Sequence, residues 1–273
     1  MIIKVLAENT AISEEFKTEH GLSLYIESCG HKMLFDVGGT NVFLKNAQKL
    51  DVNLSEIDLV VISHGHIDHG GGLKLFVKEN TNAPIYLHPK ALGKFFSNRP
   101  NRQEYIGLVH NHKNNERFIF TSDRFFINKG IEIFSNIPGK ELVPSFNKTL
   151  MMKKDGAFIE DTFEHEQNLI ITEAGKTFLF AGCAHNGIVN IIKHFKHIKK
   201  RNPDFVFGGF HLYNHSTKKS EDSVLVQQIG EKLKETNAKY YTCHCTGLKS
   251  YNQLKTVMGD QIEYLATGSV LKL

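Results

Sequence analysis

The segment VVISHGHIDHGGGL, residues 60–73, sets three histidines and an aspartate within six positions directly behind a run of β-branched aliphatics. The apolar run reads as a fully buried strand that ends at Ser63. In extended backbone, side chains two apart point the same way, so His64 and His66 can face one ion. Asp68 and His69 follow over a turn and reach the same mouth from a second direction. Gly65 and Gly70 permit the close backbone approach that such crowding needs. Imidazoles with one carboxylate suit zinc, manganese or iron, whereas calcium and magnesium take oxygen ligands. Four local groups cannot close a tetrahedral site and also leave a coordination position open, so further ligands must come from elsewhere in the chain.

Three more histidines stand where strands end. His185 follows the strand in TFLFAGCAHNG (177–187), His244 the strand in KYYTCHCTG (239–247), and His211 the strand in DFVFGGFHL (204–212). Strand, histidine, turn, helix is the layout a site at one edge of a sheet stack requires. The remaining strands are expected at 2–6, 22–28, 32–38, 83–89, 130–137, 149–154, 167–182 and 261–266, with hairpin turns at CGHK (29–32) and Glu173–Lys176. Helices are expected at 42–51, 73–80, 90–96, 186–198, 221–236 and 248–257. Residues 98–128, rich in Asn and Arg and weakly periodic, read as an irregular excursion from one domain spanning 1–273. Two β-layers with helices outside follow, an α/β (α+β) arrangement.

The chain has 273 residues, 41% hydrophobic and 23% charged, an ordinary soluble composition without an apolar run long enough for a membrane span. The opening residues turn polar at once, so a cytoplasmic location is the expectation. Four cysteines (Cys29, Cys183, Cys243, Cys245) are too few for a disulfide framework and read as small buried hydrophobes or neighbours of a metal site. A net charge of +4 allows an anionic substrate without pointing to nucleic acid. The basic run KHFKHIKKR (193–201) reads as the solvated end of a helix. His88 reads as structural, and His110 and His112 as solvated. The phenylalanines Phe118, Phe120, Phe125 and Phe126 read as packing the excursion onto the body, with a pocket lining as the alternative.

The motif His64-Gly65-His66-Ile67-Asp68-His69 resembles the His-x-His-x-Asp-His signature of the metallo-β-lactamase superfamily, and Asp36 in LFDVGG matches its early structural aspartate. FEHEQNLIIT (163–172), FAGCAHNGIVNII (180–192), GGFHL (208–212) and CHCTG (243–247) resemble the dihydropterin ribofuranosyl-aminobenzene phosphate synthase-like branch. The resemblance implies a four-layer αββα sandwich. It also implies one metal held by His64, His66 and His185 and a second by Asp68, His69 and His244. Zinc is the first expectation, with manganese or iron as alternatives. A bridging aspartate expected between the last two histidines is absent; His211 stands there, and Asp161 or Glu166 in EDTFEHEQN are the other candidates, or nothing.

The function implied is a metal-dependent hydrolase or transferase that uses activated water on a small, phosphorylated or pterin-like substrate. Asp68 would orient the water and His211 would donate a proton to the developing oxyanion. The alternatives are a phosphodiester nuclease, a redox di-iron protein, and a metal-binding protein without catalysis. Oligomeric state is not legible.

Overall fold

A computed structural model describes residues 1–108 and 116–273. The first sheet runs in the order β20 (Val270–Lys272), β1 (Ile2–Ala7), β2 (Ser23–Ser28), β3 (His31–Phe35), β4 (Leu59–Val61), β5 (Ile85–Leu87) and β8 (Phe118–Phe120). The second runs β19 (Ile262–Tyr264), β18 (Lys239–Thr242), β15 (Phe205–Gly208), β14 (Lys176–Phe180), β13 (Asn168–Glu173), β10 (Ile131–Phe134) and β9 (Arg124–Phe126). Strand β3 runs parallel to β4, β5 and β8 through the first sheet, and β14 parallel to β15, β18 and β19 through the second.

Alternation along these strands builds the layers. In β3, β4, β13 and β14 the residues Met33, Phe35, Leu59, Val61, Leu169, Ile171, Phe178 and Phe180 point between the sheets. Their neighbours point outward: Leu34 and Val60 to one face, Ile170 and Leu179 to the other. On the first outer face they meet Phe43 and Ala47 of α1 (Val42–Lys49) and Phe76 of α3 (Leu73–Glu79), which follows α2 (Ile67–Gly70). On the other they meet α4 (Ile188–Lys199), α5 (Ser223–Lys234) and α6 (Leu248–Met258) through Ile191, Phe195, Ile229 and Leu254. Three apolar seams therefore separate four layers, the αββα sandwich, because both faces of each sheet are apolar and each must be covered.

Both expected hairpin turns are present. Each is a two-residue turn with positive φ at both positions: Cys29 and Gly30, then Ala174 and Gly175. The basic run closes α4, with Lys193 ion-paired to Glu141 and Lys199 to Glu132. His88 is structural: its Nδ1 accepts the Lys90 N–H at 3.3 Å and caps a single 3₁₀ turn, Pro89–Leu92.

Two expectations fail. KALGKFF (90–96) is not a helix, because after that turn the chain enters β6 (Phe95–Arg99). The stretch 98–128 is not irregular throughout: it contains β7 (Arg102–Tyr105), β8 and β9. Strands β6 and β7 join β11 (Leu150–Lys154) and β12 (Ala157–Glu160) in a separate four-stranded sheet. Its β7 and β12 are mostly exposed, so no apolar alternation marks them in the sequence. Phe118 packs against the outer seam and Phe125 between the sheets, whereas Phe120 and Phe126 are exposed. His110 and His112 lie outside the described residues. The edge strand β20 escapes the sequence reading.

Asn46, fully buried on α1, ties the helix to two other segments: its Nδ2 donates to Leu6 O and Lys17 O, and its Oδ1 accepts from Lys17 N. Replacing it leaves the buried Leu6 carbonyl unpaired, at about 1–3 kcal/mol, and unties the segment at Lys17. Asn46→Ala is expected to lower unfolding stability by about 2–4 kcal/mol in urea titrations, with m unchanged.

Candidate metal centre

The parallel strands of both sheets end at one edge, and the segments that leave them there carry the histidines. The loop after β4 bears His64 and His66, α2 bears Asp68 and His69, the loop after β14 bears His185, and the turns after β15 and β18 bear His211 and His244. The carboxyl edge of parallel strands is where open α/β sheets place their ligands.

Four of these imidazoles, those of His64, His69, His185 and His244, are held from outside by one nitrogen and turn the other inward. His69 Nδ1 donates to Asp36 Oδ2 at 2.6 Å. His64 Nδ1 donates to Ser63 Oγ at 2.9 Å, whose hydroxyl donates in turn to Asp36 Oδ2 at 2.7 Å. His185 Nδ1 donates to Asn147 Oδ1 at 3.1 Å, and His244 Nδ1 to Asn9 Oδ1 at 2.8 Å. His66 turns its Nε2 toward Asp161 Oδ2 at 3.6 Å, an ion-pair distance. For His64, His185 and His244 the outer partner favours the tautomer whose inner nitrogen can bind a metal.

The inner nitrogens then converge. His64 Nε2 and His66 Nδ1 stand 3.1 Å apart, and His69 Nε2 and His244 Nε2 stand 3.2 Å apart. The rings of His64 and His66 each lie 5.0 Å from that of His185, whose buried Nε2 has no hydrogen-bond partner. Asp68 Oδ2 lies 3.4 Å from His244 Nε2 and 3.7 Å from His69 Nε2. Two nitrogens bound about 2.0–2.1 Å from one tetrahedral ion stand about 3.3 Å apart, close to the spacing of both pairs. Nitrogens brought this close in a buried place share either a proton or a cation, and their spacing fits a metal.

Charge agrees with geometry. Burial, reinforced by neighbouring imidazoles, pushes His64 and His185 well below the usual histidine range. Burial also lowers His66, against the pull of Asp161. Burial opposes charge on His69, but Asp36 and Asp68 outweigh it and push that group up to about 9. Burial likewise raises Asp68, but His69, His244 and His20 outweigh it and hold the carboxyl well below its usual value. The two carboxylates thus create a negative hole beside His69 that a proton or a metal ion fills.

Neither Asp161 nor Glu166 spans the two groups of histidines. Asp161 backs His66 and accepts His165 Nε2 at 3.1 Å, while His165 Nδ1 accepts the Gly65 N–H at 3.0 Å. Glu166 accepts from the backbone of His185 at 2.6 Å and of Asn186 at 3.0 Å, fixing that loop. His211 lies against His185, ring centroids 4.2 Å apart, with both nitrogens buried and without partners. Cys243 is buried between the sheets.

Four residues of the site escape the sequence reading as functional groups. Cys183 Sγ lies 3.1 Å from His69 Nε2. Its place two residues before His185 repeats the His64/His66 spacing, a signal that was available. His20 puts Nε2 3.4 Å from Asp68 Oδ2 and stacks on His215 at 4.2 Å. Burial and His244 push it down to about 3. Glu8 accepts the His244 N–H at 2.6 Å, and its neighbour Asn9 holds the ring. Nothing local in the sequence marks Glu8 or Asn9.

The centre forms the floor of a cavity of about 230 Å³. Its mouth is built by Ser97, Arg99 and Tyr105 from the four-stranded sheet and by Tyr213 and His215. Arg99 is held by Glu104 at 2.6 Å and Ser216 at 2.5 Å.

A fold of this kind with this donor set defines a metallo-β-lactamase-type protein. The chain belongs to the metallo-β-lactamase superfamily, whose family model matches residues 17–232. It is 31% identical, over 99% of its length and 96% of the relative's, to the 7,8-dihydropterin-6-methyl-4-(beta-D-ribofuranosyl)-aminobenzene-5'-phosphate synthase of Methanocaldococcus jannaschii. An uncharacterised protein of the same organism is also 31% identical, with 93% of each chain covered. The crystal structure of Tm1679, a metal-dependent hydrolase of the β-lactamase superfamily, superposes with a TM-score of 0.85 at 27% identity, covering 100% of this chain and 99% of that one. The superfamily is metal-dependent, and this chain brings together groups suited to hold metal.

Glu166→Ala strips two buried backbone N–H groups of their acceptor, so a stability loss of about 2–5 kcal/mol is expected. Glu166→Gln keeps one acceptor oxygen but turns an amide NH2 toward the other donor, so it should recover only part of that loss. Chemical denaturation of the metal-free proteins measures both, and equal losses would remove the anchoring role.

Proposed function

We propose that the chain is a metal-dependent hydrolase or transferase acting on a small anionic molecule. His64, His66 and His185 hold one divalent transition metal, zinc first and manganese or iron as alternatives; Asp68, His69 and His244 hold a second. The observation that carries this reading is the convergence of ring nitrogens at the spacing of ligands on one tetrahedral ion, most of them held from outside by a hydrogen bond. When bound, such a metal supplies Lewis acidity toward a carbonyl or phosphoryl oxygen and makes water acidic enough to attack near neutral pH.

The chain's own residues do the rest. Asp68 Oδ2, in the lining of the cavity, accepts a hydrogen bond from the attacking water and aims its lone pair. His211, which lines the cavity and has both ring nitrogens unpartnered, donates to the oxygen that gains charge. Arg99 at the mouth attracts an anionic group on the substrate, and Glu104 holds it in place. Among the described residues lining the cavity, Arg99 is the one Arg or Lys side chain. A lone guanidinium suits a phosphorylated or carboxylated small molecule better than a nucleic-acid backbone, which is met by a track of cations. The name of the Methanocaldococcus jannaschii relative contains both a pterin and a phosphate, which supports a phosphorylated or pterin-like substrate for this chain.

Elemental analysis of the purified chain, with p-nitrophenyl phosphate, bis-p-nitrophenyl phosphate and lactones as probes, tests the reading. Bound transition metal and metal-dependent turnover of one probe class are expected. A protein that neither carries nor takes up zinc, manganese or iron would remove it. His66→Ala should abolish turnover and lower bound metal while leaving the melting curve of the metal-free protein near wild type. His211→Ala should slow turnover by about 100-fold with metal content unchanged; loss of metal would instead make His211 a ligand.

A further inference from the structure

We propose that Cys183 is a metal ligand shared by both groups of histidines, its thiolate lying between the two metal positions. The inference deepens the metal-centre reading above and rests on it. The ligating atoms of His64, Cys183 and His185 lie within 4.8 Å of one another, and so do those of His69, Cys183 and His244. Cys183 is the member common to the two sets. Asp68, by contrast, groups with His244 and His20.

The end of β15, next to β14, adds no side-chain donor of its own before His211. A side chain at Gly209 would begin 2.5 Å from Cys245 Sγ, and one at Gly208 would begin 1.8 Å from Ala181 O. The end of β15 therefore presents bare backbone to the centre. Cys245 also comes near, grouping with Cys183 and His211, but its sulfur is engaged elsewhere. It accepts the His211 N–H at 3.2 Å and donates to Cys183 O at 3.7 Å. Cys183 Sγ instead faces His69 Nε2 at 3.1 Å and is 3% exposed as a residue, with no solvent to satisfy it.

Burial pushes the Cys183 thiol well above that of an exposed cysteine. A cation seated against Cys183 Sγ reverses that shift, because a coordinating thiol gives up its proton. On binding, the sulfur–metal bond forms as the S–H proton leaves to solvent. Thiolate donors shift the preference of the centre toward zinc and away from manganese.

The test uses the full chain stripped of metal and reloaded with cobalt(II). Wild type is expected to bind cobalt with sulfur-to-cobalt charge-transfer absorption in the near ultraviolet. Cys183→Ser should lose that absorption and retain about half of the cobalt or less; Cys245→Ser should keep the absorption. Absorption that persists in Cys183→Ser, or that disappears only in Cys245→Ser, overturns the proposal. So does cobalt bound by wild type without the absorption, which leaves the metal centre standing and removes only the thiolate. Wild type that binds no cobalt overturns both readings. If Cys183→Ser fails to fold, as circular dichroism will show, wild type and Cys245→Ser decide between them. Cys243 lies between the sheets and Cys29 in a distant hairpin turn, so absorption in both proteins assigns the sulfur to Cys183.

Discussion

The Asp36 carboxylate is the contact on which the site depends. It is fully buried at the end of β3, with its backbone in the left-handed region at φ 61. One oxygen accepts the Ser63 N–H at 2.7 Å; the other accepts both the Ser63 hydroxyl and His69 Nδ1. One side chain thus fixes where β4 ends, which way His64 and His69 turn, and which nitrogen each presents. A buried carboxylate is tolerable only when such donors surround it, so the network forms complete or the region does not close. Left-handed backbone recurs at Ala184, His211 and His244, each costing about 1–3 kcal/mol. Four of the fourteen non-glycine residues with positive φ among the described residues thus stand at the centre.

The sheets behind the centre supply the rigidity. Phe180 of β14, Phe207 of β15 and Tyr241 of β18 stack in register, centroids 4.7 and 5.1 Å apart and planes within 14°. They lie between the sheets, within a few residues of the loops that carry His185, His211 and His244. Loops that leave a rigid ladder at one level bring their histidines to one level, which a centre assembled from distant segments requires.

Much of this was legible in the sequence. Continuous apolar strands, two-residue hairpin turns and histidines at strand ends are local signals, and the layers follow from covering both faces of each sheet. His64, His66, Asp68 and His69 announce themselves because four metal-seeking groups share one turn. The four-stranded sheet was hidden because exposed strands such as Ala157–Glu160 carry no apolar alternation. Glu8 and Asn9 were hidden for a different reason. Their role exists only once the end of β1 lies beside the turn after β18, a contact between residues 8 and 244 that no local pattern encodes. Cys183 was ambiguous rather than hidden, since cysteine is as often a small apolar filler as a ligand.

The four-stranded sheet places side chains around the opening, yet none of its strands sends an imidazole, carboxylate or thiol to the floor. On the proposed function, recognition and reactivity are built from separable pieces of chain. Drift in the hairpins around residues 95–105 and 150–160 can change which molecule is admitted without disturbing the groups beneath. A lineage that keeps the floor and varies this rim can pass from one substrate to another in small steps, keeping a working centre at every stage.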